Sequence, residues 1–122
     1  MDEVICLDTY ALVEIEKGSS SYKFLLDKKF LIIEPVLAEF FYVLLKERGE
    51  KTANYWMNKL RPFSKPITLD VWLKALKYKY DNKKQSLSFF DCLGYVYSLE
   101  NKLRFVTGDK AFLKKKSVLF IK

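Results

Sequence analysis

The sequence contains no histidine, and that single absence removes several kinds of chemistry. Ser-His-Asp and Cys-His nucleophile systems are excluded, as are histidine-ligated zinc, copper and haem centres. Acid-base or metal chemistry must therefore rest mainly on carboxylates, which favour hard, oxygen-seeking ions such as Mg²⁺ or Mn²⁺, with lysine left as an electrophile. Cysteine is scarce. Cys6 and Cys92 each sit inside an apolar run, which suits small buried thiols in a reducing compartment better than a disulfide framework or a CxxC metal site. Only 4 Gly and 3 Pro occur, with no linker, repeat or low-complexity tract, so nothing marks a boundary and residues 1–122 read as a single domain. No run approaches the roughly 18 to 20 apolar residues that span a bilayer, and the acidic start lacks the basic n-region of a signal peptide. A soluble, cytoplasmic protein without a membrane partner is expected.

What is present supports an ordered core: 50% of the 122 residues are hydrophobic and 16% aromatic. The formal charge is +7, from 22 Lys and Arg against 15 Asp and Glu, which makes polyanions such as RNA candidate partners through phosphate contacts. A lysine-rich solvated surface accounts for the same balance, because the basic residues are spread over several segments with only short runs such as Lys114 to Lys116.

The apolar pattern predicts alternating strands and helices. Val4 to Leu7 is a continuous apolar run suited to a strand buried on both faces. Residues 9 to 17 have helical composition and stop at Gly18, Gly18 to Tyr22 reads as one loop, and Phe30 to Ile33 is a second short strand. Pro35 can open a helix running to about Arg48, and Ala53 to Leu60 reads as another. Pro66 to Thr68 is a brief strand candidate. In the helix that follows, Leu69, Leu73, Leu76 and Tyr80 recur at three- and four-residue intervals with lysines on the other face. Ser88 opens a helix to about Asn101, Leu103 to Val106 returns to strand character, a short basic helix lies around Ala111 to Lys115, and Val118 to Ile121 is a last strand. This order implies an α/β fold with a mostly parallel sheet covered by helices on both faces, whose ligands bind at the carboxyl ends of the strands.

Four acids occupy positions that surface decoration explains poorly. Asp8 and Asp109 each follow an apolar strand and precede a helix, so a parallel sheet brings both to its carboxyl edge; helix N-capping is the alternative for each. Asp91 lies three residues after Ser88, a spacing that also fits a capping box, although such boxes favour Glu or Gln. Glu39 interrupts an otherwise apolar helix segment, VLAEFFYVLL, where its alternative is an exposed residue favoured by the helix dipole. If the four converge, their repulsion is severe. Two carboxylates about 5 Å apart repel by roughly 3 kcal/mol at an effective dielectric near 20. One or two Mg²⁺ or Mn²⁺ ions would relieve this and orient a water for attack on a phosphodiester.

These residues also carry a family resemblance. VICLDTYALVEI, VLAEFF and LSFFDCLGYVYSLENKLRFVTGDKAF, in this order and spacing, resemble a single PIN (PilT N-terminus) domain over essentially the whole chain. The resemblance implies a three-layer α/β/α sandwich with a five-stranded sheet, and a metal-dependent ribonuclease using Asp8, Glu39, Asp91 and Asp109 as catalytic metal ligands. It gives Thr107 a supporting role and Ser88 a weaker one, with a turn or cap as the alternative for both. It further implies an RNA substrate, a small antitoxin protein as inhibitor, and a homodimer; Tyr55, Trp56 and Trp72 are candidate interface aromatics, with core packing as the commoner alternative. Tyr10 departs from the family pattern, which commonly has Ser or Asn two positions after the first acid. A non-cleaving RNA-binding or adaptor protein is the main competing reading. A phospho-acceptor domain is weaker, because neither an acid pair at the first strand nor an acceptor Asp after the third is evident.

Overall fold

The structure, a computed structural model, describes residues 3–122. Five parallel strands form one sheet in the order β3-β2-β1-β4-β5: β1 (Val4–Leu7), β2 (Lys29–Ile33), β3 (Ser64–Lys65), β4 (Arg104–Thr107) and β5 (Val118–Phe120). The apolar runs account for the centre of this sheet, since Ile5, Cys6, Ile32, Ile33, Phe105 and Val106 are all fully buried. In β1, Ile5 stands opposite Phe30 of β2 on one side and Arg104 of β4 on the other. The chain builds outward from β1 through β2 to β3, then returns to β4 on the other side of β1. Strand order therefore reverses between β1 and β4, which is where α/β sheets leave a crevice beyond the strand ends.

Five α-helices cover the sheet on both faces: α1 (Thr9–Glu16), α2 (Glu34–Arg48), α3 (Glu50–Leu60), α4 (Leu69–Asp81) and α5 (Phe89–Glu100). In α2, Pro35 sits in the first turn, where its missing N–H costs nothing, and the helix stops at Gly49, whose φ of 94° favours glycine. Helix α5 lies hard against β4. A Cβ built on Gly94 would stand 2.6 Å from Phe105 Cε1, so only glycine permits this approach. Phe105 in turn joins Tyr95 and Phe112 in an edge-on aromatic cluster with centroids 5.4 to 5.9 Å apart. Cys6 and Cys92 are buried free thiols.

Several details differ from the sequence reading. The third strand is Ser64–Lys65 rather than 66 to 68, because Pro66 has no N–H to continue the ladder and the pairing with Ile32 and Ile33 ends before it. Of the loop expected at 18 to 22 only Gly18 and Ser19 are outside regular structure, because residues 20 to 22 already belong to a 3-10 segment, Ser20–Asp27, anchored by buried Tyr22 and Leu25. The short basic helix is a single 3-10 turn, Lys110–Phe112. The largest difference concerns α4, which packs inward through Val71 and Ala75 while Leu69, Leu73, Leu76 and Tyr80 face solvent, the first 70% and the last 68% exposed. Tyr55 is also exposed, whereas Trp56 and Trp72 are partly buried against the core.

Candidate active site

Asp8 follows β1 at the point of strand reversal, and its amide donates to Val106 O of β4 at 3.2 Å. Its carboxylate is fully buried. Oδ1 accepts the Ala11 amide at 2.7 Å and so caps α1, whereas Oδ2 is buried without a hydrogen-bond partner. Asp109, two residues beyond β4, is held in the same way: Oδ1 accepts the Ala111 amide at 2.9 Å, and its own amide donates to Thr107 Oγ1 at 3.0 Å. Thr107 is fully buried. Both acids thus do the capping that their sequence context allows, and each uses one carboxylate oxygen for it.

Glu39, on the second turn of α2, accepts a hydrogen bond from the Thr9 hydroxyl at the start of α1. Ser88 caps α5, its Oγ accepting the Asp91 amide at a long 3.5 Å, and is otherwise exposed. No bond returns from the Asp91 carboxylate to the Ser88 amide among the described residues, so the capping box is not closed and Asp91 is free for another use. Glu39, Asp91 and Asp109 line one open cleft of about 530 Å³ together with Thr9, Tyr10, Ser88, Gly108, Lys110 and Lys122.

The electrostatics tie Asp8 to this cleft. Burial, with smaller contributions from the charges of Asp109 and Glu39, raises its pKa from 3.8 to about 7 against the opposing pull of the Thr107 hydroxyl and the Ala11 amide. The hydroxyl acts on Asp8 from nearby without making a bond to Oδ2. For Asp91 burial is again the main cause of a rise to about 8, followed by the charges of Asp8, Asp109 and Glu39. Asp8 and Asp91 therefore each feel at least two of the other acids. As placed, no three His, Cys, Asp or Glu side chains among the described residues form a ready-made metal cage, so sharing one ion requires rotamer adjustment. The donor set nevertheless suits a hard divalent cation: it is all carboxylate, with one buried oxygen unsatisfied.

The PIN domain family model matches residues 5–117. The chain belongs to the PIN domain family. Three solved structures share this PIN fold at low identity. A toxin-antitoxin complex from Klebsiella pneumoniae is 16% identical, with 94% of this chain and 95% of that one covered at a TM-score of 0.73. VapC20 from Mycobacterium tuberculosis, a toxin that cleaves the sarcin-ricin loop, is 18% identical, with 82% and 85% covered at 0.71. VapBC2 from Rickettsia felis, bound to a DNA fragment from its promoter, is 17% identical, with 97% of each chain covered at 0.73. No curated protein matches the chain significantly.

Several residues of this PIN domain's cleft escape a reading of the sequence. Thr9 has a visible signal, a hydroxyl directly after the strand-ending Asp8, but its partner Glu39 is thirty positions away. Gly108 is required by contact: an added Cβ would meet Tyr10 Cε1 at 2.2 Å and Ile121 O at 2.7 Å. Lys110 and Lys122 reach the cleft only because β5 lies beside β4, with the Ile121 amide donating to Thr107 O at 3.0 Å. Among the described residues, no helix is long and apolar enough to cross a membrane.

Proposed function

We propose that this PIN domain, read as one unit over residues 1–122, is a metal-dependent endoribonuclease acting as the toxin of a toxin-antitoxin pair. The observation that carries this reading is Asp8 Oδ2, a buried carboxylate oxygen with no protein partner at the edge of a cleft lined by three further acids. Keeping that oxygen charged without a counter-ion costs several kcal/mol, so burial pushes the Asp8 pKa up to about 7, and a cation is what would hold the group ionised. Asp8, Glu39, Asp91 and Asp109 would hold one or two Mg²⁺ or Mn²⁺ ions. When bound, the ions supply the positive charge that offsets the carboxylates and steadies charge developing on a phosphodiester.

The chain's own groups do the positioning. The Ala11 amide fixes Asp8, and Thr9 orients Glu39. Thr107 and the Ala111 amide hold Asp109, and Ser88 sets the first turn of α5 from which Asp91 projects. The amino ends of α1 and α5 point their partial positive charge at the same acids. Replacing Asp91 with Asn should abolish Mg²⁺- or Mn²⁺-dependent cleavage of RNA while the circular dichroism spectrum stays unchanged. Cleavage at the wild-type rate by both Asp91→Asn and Asp8→Asn ends the catalytic assignment. One observation favours the alternative, a non-cleaving PIN-like RNA-binding or adaptor protein: the acids are not pre-set as a cage. Metal binding without turnover on any RNA would select it.

The toxin reading also brings a small antitoxin and a homodimer. Helix α4 supports the second of these. Leu69, Leu73, Leu76 and Tyr80 follow the four-three-four spacing of a helix-helix seam and are all exposed. An antiparallel two-fold pairing centred between Leu73 and Leu76 sets Asp70 near the exposed Lys77 of the second copy's helix, so the charges are complementary. Leu73→Lys should convert a dimer into a monomer by sedimentation without loss of helix content. An unchanged oligomeric state would remove α4 from the interface.

A further inference from the structure

Tyr10 and the two lysines of the cleft have no part in holding a cation, yet they are built into its wall. Tyr10 stands in the first turn of α1 with its ring seated on Gly108, where no side chain fits. On another side it meets Tyr22 with centroids 6.2 Å apart, and Tyr22 is itself tied to the Ile121 carbonyl. Lys122 Nζ lies 6.0 Å from the Tyr10 ring centroid, and Lys110 extends from the turn that Asp109 caps. Five other cations, Lys17, Arg48, Lys74, Lys77 and Arg104, are ion-paired with surface acids, while neither Lys110 nor Lys122 is paired among the described residues.

The charge balance gives these lysines a purpose. Four carboxylates repel a polyanion, and two divalent ions would bring them only to neutrality. The lysines that line the cleft then turn neutrality into attraction. We propose that Tyr10, Lys110 and Lys122 form a ledge that binds single-stranded RNA beside the acids, the lysines holding phosphates and the tyrosine ring taking one base. The inference rests on the ribonuclease reading for its choice of polyanion. Base stacking on an aromatic face is tolerant of sequence, and it needs an unpaired strand whose bases can splay out.

The test is binding of a labelled single-stranded RNA by the full chain in the Asp91→Asn background, in Mg²⁺, across a range of salt. Each phosphate contact to a single strand contributes about 0.7 to the slope of log affinity against log salt. Lys110→Ala and Lys122→Ala should each lower that slope by about 0.7, whereas Lys116→Ala, outside the cleft, should leave it unchanged. Tyr10→Leu should weaken binding about fivefold or more at constant slope. Unchanged slopes and affinity in the cleft variants overturn the ledge even if the wild type cleaves RNA. A wild type that cleaves nothing, with the expected slopes, sinks the nuclease reading and leaves the ledge standing. Loss of polyglutamate binding in the lysine variants with RNA binding intact would assign the lysines to an acidic protein partner, and would also overturn it.

Discussion

Asp8→Asn separates the charge of the buried carboxylate from its hydrogen bonding, and its effect can be worked out in advance. In the folded protein Asp8 titrates near 7, against 3.8 for an unperturbed aspartate, a gap of about 3 pH units. At 1.36 kcal/mol per unit, ionising this side chain in the metal-free fold costs about 4 kcal/mol at pH 8. The Asn carbonyl can still accept the Ala11 amide, so the cap on α1 survives. The new amide N–H₂ must be buried in turn, which returns about 1 to 2 kcal/mol, leaving a net gain of roughly 2 to 3 kcal/mol. For a chain of this length that is roughly 6 to 12 °C in Tm.

The pH dependence follows from the sign of the displacement. A carboxyl whose folded pKa is raised binds its proton more tightly in the native state, so its favourable contribution is complete below 3.8 and is lost as pH rises towards 7. The advantage of Asp8→Asn should therefore be full at pH 8 and nearly absent at pH 4. Adding Mg²⁺ or Mn²⁺ at 100 times its Kd should cancel the advantage at pH 8, since it stabilises the wild type by about 2.7 kcal/mol and finds a damaged site in the variant, and at 1,000 times its Kd, about 4.1 kcal/mol, it should reverse the order. Thermal melts over pH 4 to 8, with and without metal, decide the matter. A variant less stable than wild type at pH 8 with a flat pH profile would show that the Asp8 carboxylate carries no electrostatic burden, and the argument for a cation would go with it.

Two further effects are expected. Metal affinity measured by calorimetry should rise steeply between pH 5 and 8, because Asp91 must lose a proton held to about 8 before it can ligate; pH-independent affinity would place the ion elsewhere. Gly94→Ala should destabilise the fold despite the ~1 kcal/mol that alanine gains in a helix, because its Cβ would enter the space of Phe105, whose ring is hemmed in by Tyr95 and Phe112. Overpacking of this kind costs about 1 to 3 kcal/mol, and a higher urea midpoint would contradict the contact.

The parts of the fold that could be read from the sequence are those where local pattern and tertiary environment agree. Val4 to Leu7 is apolar throughout and Leu103 to Val106 is apolar apart from the part-exposed Arg104, because the central strands are covered on both faces. An acid after each such strand sits at the carboxyl edge by topology alone, which is why Asp8 and Asp109 stand out. Local pattern fails where a distant partner decides the outcome. The third strand is two residues long and exists only by pairing with Ile32 and Ile33. Helix α4 carries a regular apolar stripe, yet its inward contacts are made by the smaller Val71 and Ala75, so periodicity points to the solvent face. In the cleft, Glu39 is conspicuous by its apolar neighbours. Lys110 and Lys122 look like any other lysines until β5 is laid beside β4.

Capping and cation binding were rival explanations for Asp8 and Asp109, and the geometry shows why they need not compete. A carboxylate has two oxygens, and a helix that starts at the end of a parallel strand takes one of them. At both residues it is Oδ1 that satisfies the amide, which pins the side chain with Oδ2 left out of the cap, buried and unpartnered at Asp8 and beside the cleft at Asp109. The cap is therefore a positioning device for the second oxygen. Asp109→Ser tests this division directly: serine is as good a cap as aspartate, so stability should change by less than about 1 kcal/mol, while only the free oxygen is lost. Metal binding and metal-dependent cleavage should both fall sharply in a protein that melts almost as the wild type does. If Asp109→Ser instead unfolds the protein, or binds metal unchanged, the carboxylate of Asp109 serves the turn alone.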